Sequence, residues 1–347
     1  MTSAAAPGNA PGNAPGNAPA RQRRFIRDIA PNERFEGVFC IANAQLAVTK
    51  NGDPYLACLL SDKSGQTPAR RWNMPPEVFK SLPSEGFVWA EGRTQPFKGE
   101  VQFIIDNIEK VEPAPEMLRE LIPSSARDPE EMFTELKQIL GTIRHPAMTA
   151  LVDAYLADEM LVAHFKQAPA AKMLHHAFLG GLLEHTLALL RLADAVCPLY
   201  PKISRDIVLV GLFLHDLGKT RELNWEGVFT YTDRGELVGH IVEGAIMLHD
   251  KIEALRRSQG VRFPKHTATV LQHIILSHHG VPEFGAAKIP STPEAILVSM
   301  LDNLDAKTTI ALGAARPDRP AGQDLGGNFT EKQWALDTKL FKPDPLL

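Results

Sequence analysis

Three cysteines in 347 residues, Cys40, Cys58 and Cys197, are too few and too far apart for a disulfide framework or a zinc knuckle. Their odd number suits a chain kept in a reducing, cytoplasmic compartment. No apolar run reaches the ~18 residues of a membrane span, so no membrane partner is expected. The first residues lack the apolar core of a signal peptide, and none is expected. Charge of one sign is missing too. Lysine plus arginine number 37 against 41 acidic residues, a net charge of −4, so no global basic field advertises nucleic acid. What remains is an ordinary apolar share of 44% in a chain long enough for two cores.

The composition shifts along the chain. The unit APGN occurs three times in tandem from Ala6, and such residues bury too little surface to order themselves. Residues 1–24 are therefore expected to form a disordered tail. Arg21, Arg23, Arg24 and Arg27 next to it read as solvated cations. Residues 25–112 carry short β-rich runs separated by turn signals at Asn51-Gly52-Asp53, Ser61 to Gly65 and Lys98-Gly99. "PPEVFKSL" reads as one short helix opened by proline. Five strands with a helix inserted after the third predict a small Greek-key barrel of the OB type. Such barrels bind single strands by stacking bases on exposed aromatics in a basic groove. The candidates are Tyr55, Trp72, Phe97 and Phe103, with Arg70, Arg71, Arg93 and Lys98. The competing reading of each aromatic is barrel core.

From residue 113 to 315 apolar residues recur every three to four positions, which predicts an all-α domain of seven or more helices. Residues 316–347 read as a Pro/Gly-rich loop and a C-terminal amphipathic helix, "TEKQWALDTKLF", packed back on the body. Polar residues interrupt the apolar helices at regular places. His185 follows "GGLLE"; His215-Asp216 ends "GLFL"; His240 sits between Gly239 and Ile241; His278-His279 ends "HIILS"; Asp302 follows "ILVSML". One buried histidine is more often a satisfied core residue than a ligand. Five helices each donating an imidazole or a carboxylate point instead to convergence on one metal site in the bundle interior. That donor set suits manganese, iron or zinc. Neighbours on a helix point about 100° apart, so His215 can bind one ion while Asp216 reaches between two. Paired ions at about 3.5–4 Å clamp the attacking and leaving oxygens of a phosphoryl displacement.

The dipeptide recurs at His249-Asp250, half a turn out of phase with His240, and is expected on the surface. His145, His164 and His266 have no motif context; His175, His176 and His273 are left open.

The ordered set His185, His215-Asp216 and Asp302 resembles the HD-domain metal-dependent phosphohydrolases, and His240, His278 and His279 match the extra histidines of the bimetallic members. With "HHAFLGGLLEHT", "LSHHG", "PEFG", "LDNLDAK" and the preceding barrel, residues 34–343 resemble the YhaM-type 3′→5′ exoribonucleases, which join an OB domain to an HD domain. The resemblance implies His185, His215, Asp216 and Asp302 around one divalent ion. It puts His240, His278 and His279 at a second, with Asp216 bridging. It also implies manganese as the preferred metal, with iron, cobalt, zinc and magnesium open. Lys219 would contact a substrate phosphate, and Asp305 would orient a ligand from behind. The implied activity is release of nucleoside monophosphates from the 3′ end of single-stranded RNA, with single-stranded DNA as a further partner and a homo-oligomer open. Two alternatives stand beside it. One is an HD phosphohydrolase of nucleotides or cyclic dinucleotides, although no Gly-Tyr-Pro motif follows His278-His279. The other is a non-catalytic RNA-binding protein.

Overall fold

The computed structural model describes residues 24–97, 100–172, 176–225, 229–316 and 327–346. The expected tail, Lys98 and His175 lie outside the described residues, apart from Arg24 at the tail's end.

Five strands close into a barrel in the order β1-β2-β3-β5-β4: β1 Arg34–Val48, β2 Pro54–Asp62, β3 Gly65–Trp72, β4 Gly86–Phe97 and β5 Glu100–Lys110. Helix α1, Pro76–Ser81, is inserted between β3 and β4. Strand β1 is long enough to serve two neighbours. Its first half pairs with β4 and its second half with β2, and the register shifts between Ala42 and Gln45, where Asn43 takes a positive φ of 54°. Such an irregularity bends a strand, which closure requires. Parallel pairing of Ala69 with Phe103 and of Arg70 with Ile104 completes the ring. Phe35, Phe39 and Phe103 fill the interior with ring centroids 5.8–6.2 Å apart. Phe103 is 1% exposed, which removes it from the stacking candidates: on β5 its side chain faces inward, where burial of a whole ring is worth more than any exposed role.

The rest is helical: α2 Pro115–Leu121, α3 Pro129–Leu140, α4 Pro146–Leu156, α5 Glu159–Gln167, α6 Gly181–Val196, α7 Arg205–Leu214, α8 Lys219–Glu222, α9 Asp233–Leu237, α10 Gly239–Gln259, α11 Thr267–Ser277 and α12 Pro293–Ala315. A two-residue-per-strand hairpin, β6 Leu223–Asn224 and β7 Thr230–Tyr231, separates α8 from α9. Local chemistry marks the helix starts. Asp128 accepts from the Glu130 and Glu131 amides before Pro129 opens α3, and the Ser204 and Thr292 hydroxyls cap α7 and α12. Helix α7 is the central post, buried from Val208 through Leu214. Among the described residues no helix is long and apolar enough to cross a membrane. Cys40 of the barrel packs with Leu121, Ile122 and Phe229, so barrel and bundle share an apolar seam.

The C-terminal segment is not the expected α-helix. Phe329 pairs with Phe341 and Gln333 with Thr338 as antiparallel bridges, around a single 3-10 turn, Trp334–Leu336, that lies against α12. A lone helix of this length is marginal in water. The Phe329–Phe341 ring contact at 5.4 Å and the Thr330 amide bond to the Leu340 carbonyl reward pairing the two ends instead.

Candidate metal centre and nucleic-acid face

Each expected ligand sits where an apolar helix stops or crosses another. His185 is buried within α6. His215 terminates α7, with Asp216 in the turn after it. His240 opens α10, His278 and His279 follow α11, and Asp302 lies midway along α12. Two glycines allow the crossings. A Cβ on Gly218 would stand 2.1 Å from the His240 carbonyl oxygen, and one on Gly181 would stand 2.0 Å from that of His176.

All five imidazoles are held through Nδ1. His215 Nδ1 donates to the Leu212 carbonyl (2.7 Å), His278 Nδ1 to that of Ile275 (2.8 Å) and His279 Nδ1 to that of Phe284 (2.7 Å). His240 Nδ1 lies 2.9 Å from Glu222 Oε1, and His185 Nδ1 lies 2.7 Å from Asp305 Oδ2. A carbonyl can only accept, so in the neutral rings of His215, His278 and His279 the proton sits on Nδ1 and the lone pair on Nε2. The Nε2 atoms then converge around Asp216. Its Oδ2 lies 3.4 Å from His215 Nε2 and 3.9 Å from His185 Nε2; its Oδ1 lies 3.4 Å from His278 Nε2 and 3.5 Å from His240 Nε2. Asp302 Oδ1 joins the first set, 3.2 Å from His185 Nε2 and 4.0 Å from His215 Nε2. Ligands bonded at about 2.0–2.2 Å to one ion stand roughly 3–4 Å from each other, so this spacing fits metal coordination.

The donor atoms are otherwise orphaned. Nε2 of His215, His240 and His278 and Oδ1 of Asp216 are buried without a hydrogen-bond partner. Native interiors rarely tolerate one such atom, and four facing each other are the mark of a group that binds between them. Two sets of ligand atoms, each within 4.8 Å, share Asp216: His185 with His215, and His240 with His278 and His279.

The charges are arranged to match. Burial alone would raise the Asp216 carboxyl, but Lys219 and His215 beside it hold it well below the ordinary range. Burial opposes charge on His185, yet Asp302 and Asp305 outweigh it and push the imidazole up to about 9. His279, desolvated and next to His278, is pulled down to about 4. Asp302 and Asp305 are held low by their histidine partners against the effect of burial. Lys219 Nζ lies 2.7 Å from Asp216 Oδ2, so the expected phosphate contact is a cation already docked on the central carboxylate.

Three residues escaped the sequence reading. Glu222 accepts from both the amide and the ring of His240 across the hairpin. Buried Glu243 accepts from Arg221 and Arg234. His176, left open from sequence, places Nε2 3.1 Å from the same Asp305 oxygen that holds His185. No period marks these positions; only a carboxylate inside an otherwise apolar stretch hints at Glu243. The second dipeptide, His249-Asp250, is exposed on α10. His145, His164 and His266 are exposed, and His273 Nε2 accepts from the Ser291 amide.

On the barrel, Arg70 lies over three rings, 5.6 Å from Tyr55, 5.7 Å from Trp72 and 5.5 Å from Phe97. Trp72 and Phe97 are each 42% exposed. Arg71 pairs in register with buried Leu56, so alternation turns it to the other face of β3. Arg93 is exposed; it pairs with Arg34 on one side and with Ile104 on the other, and Ile104 also pairs with Arg70, so Arg93 is in register with Arg70 across β5.

Solved structures of low identity are similar to parts of the chain. The second OB-fold domain of replication protein A from Methanococcus maripaludis is 17% identical, with 26% of this chain and 96% of that chain covered and a TM-score of 0.22. PriB from Ralstonia solanacearum is 19% identical, with 22% and 97% covered and a TM-score of 0.20. RecG bound to a three-way DNA junction is 15% identical, with 82% and 37% covered and a TM-score of 0.21. Residues 182–307 match the family model described as HD domain, a stretch that contains all seven candidate ligands. The chain therefore joins an OB-like five-stranded closed barrel to a helical HD domain of the metal-dependent hydrolase class.

Proposed function

We propose that this protein is a metal-dependent 3′→5′ exoribonuclease that shortens single-stranded RNA, and single-stranded DNA as a second substrate, to nucleoside monophosphates. The observation that carries the proposal is the division of Asp216: one carboxylate oxygen faces His185 and His215, the other His240 and His278. His185, His215, Asp216 and Asp302 would hold one divalent ion, and Asp216, His240, His278 and His279 the other, with manganese preferred. Bound there, such a pair would neutralise phosphodiester charge and bring the pKa of water towards neutrality. The chain's own residues prepare the site. The Nδ1 anchors fix five rings before any ion arrives, and Lys219 holds a positive charge beside the centre for a substrate phosphate. Asp305 and Glu222 orient His185 and His240 from behind. On the barrel, Tyr55, Trp72 and Phe97 offer π faces to successive bases, with Arg70 among them facing the backbone.

The test is direct. RNA and DNA oligonucleotides labelled at the 5′ end are incubated with the protein and each divalent metal in turn, and products are resolved at single-nucleotide steps. A descending ladder with manganese, with immediate release of mononucleotide from a 3′ label, is the expected result. Internal fragments, or hydrolysis of free nucleotides with intact oligonucleotides, would refute the exonuclease reading and favour the nucleotide phosphohydrolase.

A further inference from the structure

We infer that Phe284 is the platform on which the 3′-terminal base stacks while the adjacent phosphodiester lies at the metal centre. The inference rests on the exonuclease reading above and adds a base-binding subsite to it.

Phe284 ends a 3-10 turn, Pro282–Phe284, a few residues beyond His278-His279. Its carbonyl is the oxygen that receives His279 Nδ1 at 2.7 Å, so its backbone is fixed to a metal-centre histidine. The turn is also fastened to itself. The Val281 amide bonds to the His279 carbonyl (3.0 Å), and the Phe284 and Ala286 amides bond to the Val281 carbonyl (3.1 and 3.3 Å). Gly280 and Gly285 take positive φ values of 81° and 96°, the reversals that bring the turn back against the histidine. Ala286 is buried and anchors the far side.

On this pinned turn Phe284 is 68% exposed. Among the described residues no aromatic contact or cation engages it. Aromatic rings normally gain their stability by burial, so a ring held outward by rigid backbone lacks a reason in the fold itself. It has one in recognition. Ordering costs are already met in a pre-organised turn, and only the incoming base must settle. A phenyl ring has no hydrogen-bonding group, so it would accept any of the four bases. An enzyme that removes every nucleotide in turn needs that tolerance at its terminal subsite. A nucleobase is the occupant argued for; an apolar protein partner would not need the platform tied to His279.

The test uses the full chain with manganese and two RNA oligonucleotides that end in a phosphorothioate linkage to slow hydrolysis. They are identical except that the 3′-terminal nucleotide either carries its base or is abasic. Fluorescence anisotropy gives the two dissociation constants. Wild type is expected to favour the base-bearing strand about tenfold. Phe284→Leu, of similar bulk without a π face, and Phe284→Ala should bring the ratio below about twofold, and Phe284→Trp should keep it. Circular dichroism melting checks that each variant is folded, and the leucine variant carries the test if the alanine variant is not. Equal binding of the two strands by wild type, or an undiminished ratio in Phe284→Leu, overturns the inference. A ratio that depends on Phe284, with no shortening of unmodified strands in any metal, leaves the subsite standing and sinks the exonuclease reading instead.

Discussion

Asp305 Oδ2 lies 2.7 Å from His185 Nδ1, on the side of the ring opposite Asp302. The carboxylate has no direct part in the metal set around Asp216; it turns the imidazole so that Nε2 faces inward. His176 meets the same oxygen at 3.1 Å, so one carboxylate oxygen serves two rings. Partners of this kind fix tautomer and orientation, and their loss lowers metal affinity by about 10–100-fold. Asp305→Ala should therefore weaken manganese binding by that factor. Asp305→Asn, which keeps an acceptor but not the charge, should fall in between. Isothermal titration of each variant with manganese measures it, and wild-type affinity in Asp305→Ala would remove Asp305 from the centre's support.

Two barrel aromatics separate binding from stability. Trp72 is partly exposed beside Arg70, whereas Phe103 is enclosed by Phe35 and Phe39. Trp72→Ala should weaken single-stranded RNA binding by about 1–3 kcal/mol and leave the melting curve nearly unchanged. Phe103→Ala should cost about 3–5 kcal/mol of stability through the cavity it leaves. Urea unfolding together with RNA titration distinguishes the two. If Trp72→Ala binds RNA like wild type, the Arg70 cluster is not the strand-binding face.

What was legible before the structure follows from where the physics is local. Strand alternation and turn residues in 34–110 gave the barrel, because a small antiparallel barrel writes its period directly into sequence. His185, His215, Asp216, His240, His278, His279 and Asp302 stood out because ionisable groups are costly in apolar helices. Glu222 and His176 did not, because each reaches a site residue through the tertiary fold: 18 residues separate Glu222 from His240, and 129 separate His176 from Asp305. Inward and outward aromatics on adjoining strands have the same composition, so Phe103 could not be told from Phe97. The C-terminal segment misled because its helical period was outweighed by pairing of Phe329 with Phe341.

Thiol chemistry gives an independent check on the barrel core. Cys58 on β2 is buried, and desolvation pushes its pKa up to about 12. The thiolate is the reactive form, so between pH 7 and 9 the group stays protonated and inert. Iodoacetamide should leave Cys58 unmodified in the folded protein at both pH values and label it after denaturation. Mass spectrometry of the peptide spanning Pro54–Asp62 reads the result. Labelling that rises tenfold per pH unit in the native protein would mean that strand β2 is open to solvent.

The two His-Asp pairs test the centre against the chain's own control. Asp216 follows His215 in a buried turn, and its two oxygens face separate imidazole sets. Asp250 follows His249 in the same dipeptide on an exposed stretch of α10. Asp216→Asn preserves shape but removes the charge that two cations would share and that Lys219 already partners at 2.7 Å. Hydrolysis should fall by at least ~10²-fold, since paired-metal catalysis depends on that bridge. RNA binding through the barrel should persist. Asp250→Asn makes the identical chemical change on an exposed stretch of helix, so it should cost under about 0.5 kcal/mol of stability and little activity. A non-catalytic RNA-binding protein would tolerate both substitutions. Rates of strand shortening measured side by side decide the matter, and equal rates in the two variants would show that the converging histidines are not the seat of catalysis.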